Sequence, residues 1–243
     1  MLQSLQHLSG FKLHATDGDI GSVQEWYFDD FEWTIRYLVV DTGNWLIHRK
    51  VLVPPYAFEG IDRSEKIIRL NISKQQVEDS PPIETHQTVS RQREQEYFQH
   101  FGWPWYGAAI WEGAVMPMTP MPGAQPEKVA TSPPEDVHLR SAQEVKGYRL
   151  RADNETVGRL EDYLVEDSKW FIQYLVVSLT GTKPAHHTLM LPGWVDRLSW
   201  RHGEVRLKVP ANVVRDAPVF VPTQPLTRER EEALFKDYYG KVA

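Results

Sequence analysis

The sequence predicts a mainly β protein built from two small antiparallel β-barrels, each followed by a short C-terminal helix. Two observations carry this prediction: the chain matches itself at a constant offset of 137 residues, and each copy holds several short strand-like segments separated by turn residues. The chain has 243 residues, enough for two domains of about 100 residues. We therefore expect a barrel with its helix over 1–102, a linker over 103–137, and a second barrel with its helix over 138–243.

The repeat is clearest in one strand that both copies contain. Residues 37–40 read Tyr-Leu-Val-Val, and residues 174–177 read the same. Other matching pairs run from the first glycines to the terminal helices, and they include Gly10/Gly147, Gly21/Gly158, Trp33/Trp170, Arg69/Arg206 and Phe98/Phe235. A constant offset held over so much of the chain indicates a duplicated unit.

The strands of the first copy follow one another across short turns. Residues 11–15 lead through Asp17-Gly18-Asp19, which is hairpin-turn chemistry, into a second strand over 20–28. The third strand, 33–41, alternates apolar and polar residues at first and then becomes apolar on both faces. Further strands are predicted at 51–53 and 66–72, and in the second copy at 157–165, 170–177, 188–191 and 204–209.

A helix is predicted after each barrel. Ser90 and Thr227 are suitable N-caps, because a hydroxyl can accept hydrogen bonds from the free N–H groups of a first helical turn. Apolar residues then recur at helical spacing, including Phe98 and Phe235. We expect these helices to close the open side of their own or the neighbouring barrel, with exchange between halves or between chains as the alternative. Binding to the groove of another protein is the less favoured interpretation.

The predicted linker contains a cluster of aromatic residues as well as many prolines. Proline at this density blocks regular ladders and favours an extended segment. The aromatic residues are Trp103, Trp105, Tyr106 and Trp111. They either fold back onto the first barrel or form an exposed docking surface for a partner, and contact with a membrane surface is a third alternative.

Composition excludes several classes of chemistry and location. The chain has no cysteine, so disulfides, thiolate metal sites and iron–sulfur ligation are excluded. The formal net charge of −6 gives no general attraction to nucleic acid. The N-terminus lacks the pattern of a secretion signal, and no apolar run is long enough to span a bilayer. We therefore expect a cytoplasmic protein without a transmembrane segment.

No motif predicts catalysis, a cofactor or a bound metal. The adjacent histidines His186 and His187 point to opposite faces of an extended chain and cannot easily share an ion. Asp29 and Asp30 fall at a predicted turn, as do Glu166 and Asp167. They are interpreted as solvated turn residues, with an acidic docking patch or a weak cation site as the alternative.

The second copy is more basic than the first, and its basic residues gather around the first hairpin. They are Lys146, Arg149, Arg151 and Arg159, with Tyr148 and Tyr163 close in sequence. Binding to nucleic acid needs several phosphate contacts on one face, and this cluster predicts at most a weak site. Nucleic acid is therefore not the expected partner.

Both copies resemble the PRC-barrel family. The family pattern is an opening glycine, an Asp-Gly-x-x-Gly turn of which the second copy keeps only the last glycine, an acidic turn, an Ile-x-Tyr-Leu-Val-Val strand, and a proline after the next strand. In the first copy it is carried by Gly10, Leu13, Gly18, Gly21, Val23, Asp29, Asp30, Ile35, 37–40 and Pro54. In the second copy it is carried by Gly147, Leu150, Gly158, Leu160, Asp162, Asp167, Ile172, 174–177 and Pro192. Most of these residues serve packing and turns, so they indicate a fold more strongly than a function.

The resemblance implies a non-catalytic bacterial adaptor that binds other proteins. Known members include the cytoplasmic domain of the reaction-centre H subunit and the C-terminal domain of a ribosome maturation factor. The expected function is a protein–protein interaction scaffold in photosynthetic or other electron-transfer machinery, as a peripheral member of a membrane complex or as a homodimer. The alternatives are an RNA- or ribosome-associated processing factor, and a stress protein that binds a metal or small ligand. The expected partner-binding residues are Trp103, Trp105, Tyr106, Trp111, Asp29 and Asp30.

Overall fold

The computed structural model describes residues 2–43, 50–80, 99–102, 139–181, 186–224 and 226–236. We call residues 2–80 the first half and residues 139–236 the second half. The first half contains β1 (Leu2–Ser4), α1 (Leu5–Leu8), β2 (Lys12–Ala15), β3 (Gly18–Asp29), β4 (Thr34–Asp41), β5 (Lys50–Val53), a 3-10 turn (Pro55–Ala57), β6 (Phe58–Asp62), β7 (Ile67–Leu70) and α2 (Lys74–Glu78).

The second half presents the same order of elements and then continues. It contains β8 (Leu139–Ser141), α3 (Ala142–Val145), β9 (Arg149–Ala152), β10 (Glu155–Glu166), β11 (Phe171–Leu179), β12 (His187–Met190), a 3-10 turn (Pro192–Trp194), β13 (Val195–Ser199), β14 (Glu204–Leu207), α4 (Ala211–Arg215), β15 (Val219–Phe220) and α5 (Arg228–Phe235). The predicted linker and the predicted N-cap Ser90 lie outside the described residues.

The mainly β class is confirmed, but the prediction of a purely antiparallel sheet is wrong. β2 pairs with β7 in parallel, and β9 pairs with β14 in parallel. The reason lies at the 3-10 turns: β5 and β6 run in the same sense on either side of Pro55–Ala57. The sequence-based reading assumed that each connection reverses the chain, as hairpins do. Closure of each half into a barrel stays a prediction.

The two halves exchange their first strands. β1 pairs with β10 of the second half, with Leu2 opposite Glu166. β8 pairs with β3 of the first half, with Leu139 opposite Asp29. These two pairings are equivalent under the 137-residue offset, so the halves are related by an approximate two-fold axis, which we call the axis.

β4 and β11 meet at this axis. Thr34 is paired with Phe171, and these two positions are themselves equivalent under the offset. The Ile35 N–H donates to the Trp170 carbonyl at 2.8 Å, and the Ile172 N–H donates to the Trp33 carbonyl at 2.7 Å. The sheet therefore runs continuously from one half into the other.

One apolar core extends through both halves. The repeated segments 37–40 and 174–177 are buried along their whole length, as their apolar character on both faces predicts. α5 begins after Thr227, whose hydroxyl accepts from the Arg230 N–H at 3.4 Å. Its Phe235 ring stacks on Tyr174 at 5.2 Å, so this helix covers its own half.

Candidate functional site

The predicted site residues Asp29 and Asp30 lie in the tight turn between β3 and β4. Asp29 is buried, and its Oδ1 accepts from the N–H groups of Phe31 at 2.8 Å and Glu32 at 2.9 Å. Asp30 accepts from Arg140 Nε of the exchanged strand β8 at 2.7 Å. The interpretation of both as solvated turn residues is wrong, because one caps the turn and the other joins the halves. Their role in partner binding stays a prediction, and it would require these contacts to break.

The second half keeps the arrangement with different residues. Glu166 accepts from the N–H groups of Ser168 and Lys169, as Asp29 does in its own turn. Asp167 accepts from Arg63 Nη2 at 2.7 Å. The position equivalent to Arg140 is the neutral Gln3, so Arg63 supplies the cation from the turn between β6 and β7. Both acidic turns therefore tie one half to the other.

An aromatic cluster fills the space beneath these turns. Trp33 and Trp170 both adopt left-handed backbone conformations, with φ of 57° and 56°. The Trp170 ring stacks on Trp26 at 5.3 Å and meets Phe58 edge-on at 4.8 Å, both in the first half. Residues other than glycine rarely adopt positive φ, so the turns hold these two tryptophans in place at a cost in backbone strain.

Each of the two acidic turns has an exposed phenylalanine in it or directly after it, close to the junction of the halves. Phe31 follows the acidic pair and is 77% exposed. Phe171 stands opposite Thr34 at the axis and is 40% exposed. Asp29 holds the Phe31 amide, and the sheet ladder holds Phe171, so the backbone positions of both are fixed. We call these two residues the axis surface. No motif identified it, because the two phenylalanines are not equivalent under the offset.

A cleft of about 250 Å³ also lies on the axis. Its lining positions occur in pairs under the offset: Leu5 with Ala142, Gln6 with Gln143, Ser9 with Lys146, Gln24 with Glu161, Glu25 with Asp162, and Trp26 with Tyr163. Such pairing places the cleft between α1, α3, β3 and β10 at the centre of the molecule. Sequence reasoning did not find it, because the strand exchange that forms it leaves no local pattern.

Two of the three carboxylates that line the cleft receive hydrogen bonds from the exchanged strands. Ser4 donates to Asp162, and Ser141 donates to Glu25. Asp162 also accepts from the Gln6 N–H at 3.1 Å. Burial raises the pKa of Asp162 above its usual range, although these hydrogen bonds oppose that shift.

Two aromatic residues line the cleft at equivalent positions, Trp26 and Tyr163, and they differ in whether their polar group is hydrogen-bonded. The Tyr163 hydroxyl donates to the Ala142 carbonyl at 3.1 Å. The equivalent Trp26 is 2% exposed, and its indole N–H has no acceptor among the described residues. The cleft can therefore offer carboxylate acceptors together with an indole wall.

The other predicted site residues fall elsewhere. Trp103, Trp105, Tyr106 and Trp111 lie outside the described residues. Within the described part of the chain, no group of three or more histidine or acidic side chains is placed to hold a metal ion. In the same part, no helix is long and apolar enough to cross a membrane.

Comparison with known proteins gives one family match. Residues 8–77 match the model of the PRC-barrel domain, which covers β2 to β7 and most of α2. The resemblance predicted for the first copy is thus confirmed, whereas that of the second copy stays a prediction. No curated protein matches the sequence significantly.

Proposed function

We propose, from the PRC-barrel domain at residues 8–77, that this chain is a non-catalytic adaptor that binds a protein partner at the axis surface. We propose further that the second half is a second unit of the same type, and that the protein works in the bacterial cytoplasm. The observation that carries the proposal is the exposure of Phe31 and Phe171 at the junction of the halves.

The axis surface suits a protein partner because it is rigid. A binding residue that is already held in place loses little conformational entropy on binding, and aromatic anchors are favoured in interfaces. Phe31 sits on a turn that Asp29 caps and that the Trp33 N–H closes on the Asp29 carbonyl at 2.8 Å. Half-buried Glu32 and exposed Lys169 lie next to it in the two turns, so the fitting partner presents an apolar patch with a polar rim.

The family resemblance favours a subunit of electron-transfer machinery as that partner. A chain with two equivalent halves can hold one partner on the axis while its outer faces remain accessible. This arrangement supports an adaptor that contacts more than one molecule.

The experiment compares partner capture by the wild-type protein with capture by Phe31→Ser and Phe171→Ser. Proteins recovered from native-host extracts by the wild type only are then purified and titrated against each variant. We expect the double variant to bind at least tenfold more weakly with unchanged thermal stability. Val219→Ser is the matched control, because Val219 is 51% exposed on β15. Equal binding by the double variant and the wild type would refute the proposal.

A further inference from the structure

The outer face of β13, β14, β9 and β10 in the second half carries a group of basic residues, together with Glu204, which is paired with Arg149 at 3.1 Å. Buried Leu150, Val205 and Leu207 show which positions on these strands point inward. The alternate positions point outward. The cations among them are Arg149, Arg151, Arg159, Arg197, Arg206 and Lys208, and we call them the basic face.

Three of these arginines form one row across three strands. Arg197 is paired with Arg206, and Arg206 is paired with Arg151. Adjacent strands lie about 4.8 Å apart, so the three side chains leave the sheet from neighbouring positions on one face. Like charges directly opposite each other destabilise a sheet. Among the described residues no carboxylate lies within ion-pair distance of any of the three.

The first half provides an internal reference for this row. The equivalent row is Gly60, Arg69 and His14, in the same register. There Arg69 lies 3.5 Å from Asp62, and His14 lies 2.7 Å from Asp19.

The second half has lost both compensating carboxylates. The positions equivalent to Asp62 and Asp19 are Ser199 and Thr156. Carboxylates therefore compensate the charge of this row in the first half but not in the second, although each half packs its core in the same way. Packing does not require this row, and its uncompensated positive charge would suit an anionic ligand.

An exposed aromatic side chain stands at the border of the basic face. Trp200 in the turn between β13 and β14 is 64% exposed, and the Arg201 guanidinium lies 6.0 Å from its ring centroid. The same turn touches the basic face, because Arg149 Nη2 donates to the His202 carbonyl at 3.3 Å.

We propose that the basic face, with Trp200, binds single-stranded nucleic acid. Guanidinium groups pair with successive phosphates, and an exposed indole offers a surface on which a base can stack. An acidic peptide or an anionic membrane would use the charges but would not need the exposed ring. This surface is separate from the axis surface, so either proposal can fail without the other.

The test measures binding of the full chain to a fluorescent single-stranded oligouridylate of about 12 nucleotides. We expect affinity to fall with salt at a logarithmic slope of about −2, as three phosphate contacts predict. The decisive variant is Thr156→Asp with Ser199→Asp, which copies the compensation of the first half. It should bind at least tenfold more weakly while its thermal stability is unchanged or higher.

Two further variants complete the test. Trp200→Ala should weaken binding about tenfold without changing the salt slope. Arg228→Asp is the charge-matched control, because it also changes the net charge by two units but lies on α5, outside the basic face, and it should bind as the wild type does. Undiminished binding by the variant Thr156→Asp with Ser199→Asp would overturn the proposal. Tighter binding to poly-glutamate or to phosphatidylglycerol vesicles than to the oligonucleotide would overturn it too.

Discussion

Replacement of Trp170 tests the central role of the aromatic cluster in joining the halves. Its indole is buried and contacts Trp26 and Phe58 across the junction. Truncation of a buried tryptophan side chain lowers the free energy of unfolding by about 3–5 kcal/mol. The aromatic contacts of Trp170 add to the loss of buried area, so its effect should not lie at the low end of that range. We therefore expect Trp170→Ala to lower the free energy of unfolding by about 4 kcal/mol.

The left-handed backbone of Trp170 adds a sharper expectation. A residue with a Cβ pays about 1–2 kcal/mol in this conformation, whereas glycine does not. Glycine loses about 0.5–1 kcal/mol more in conformational entropy on folding. Trp170→Gly should therefore be about 0.5–1 kcal/mol more stable than Trp170→Ala, the reverse of the usual order.

Urea unfolding followed by far-ultraviolet circular dichroism measures both differences. The exposed Trp200→Ala provides the control and should change stability by less than about 0.5 kcal/mol. The reasoning would be refuted if Trp170→Ala cost under about 1 kcal/mol, or if the glycine variant proved the less stable of the two.

Three further variants have defined outcomes. Gly21→Ala should lower the free energy of unfolding by several kcal/mol, about the effect of overpacking plus strain, because a Cβ there would meet the Asp41 carbonyl oxygen at 2.1 Å with φ at +142°. Gly43→Ala is the control: its Cβ would meet open space, so it should cost only about 1 kcal/mol in the same urea unfolding experiment. A double-mutant cycle on Asp30→Ala and Arg140→Ala should give a coupling of about 1–2 kcal/mol, since the pair is mostly buried, and a value near zero would show that it does not join the halves. For Asp162, a raised pKa in the folded state means that the native protein holds the proton more tightly, so stability should fall as pH rises from about 4; Asp162→Asn should lack this fall in urea titrations, and parallel curves would contradict the assignment.

Local sequence patterns predicted most of the strands, because their signals lie within each strand. The repeated Tyr-Leu-Val-Val segments and the hairpin at Gly18 depend on alternation and turn chemistry alone. Thr227 was found as an N-cap for the same reason. Each of these features involves residues close in sequence.

The parts that sequence reasoning missed depend on pairing between distant residues. The exchange of β1 and β8 pairs Leu2 with Glu166, and the local sequence around neither residue predicts this pairing. The row of Arg151, Arg197 and Arg206 forms only when three strands meet, so the sequence showed merely the local hairpin cluster. The net charge could not predict this row either, because a total says nothing about how charge is arranged on one face.

The exchange of first strands has a consequence for how the chain is made. On the ribosome, β3 emerges long before β8, so the edge at residues 27–29 stays unpaired until residue 139 has been synthesised. The strand Leu2–Ser4 stays unpaired for longer still, because its partner residues 164–166 are synthesised later. Unpaired edges invite pairing between nascent chains, and two first halves present the complementary strand to each other. A truncated first half should therefore be recovered as a dimer, with each copy donating its β1 to the other.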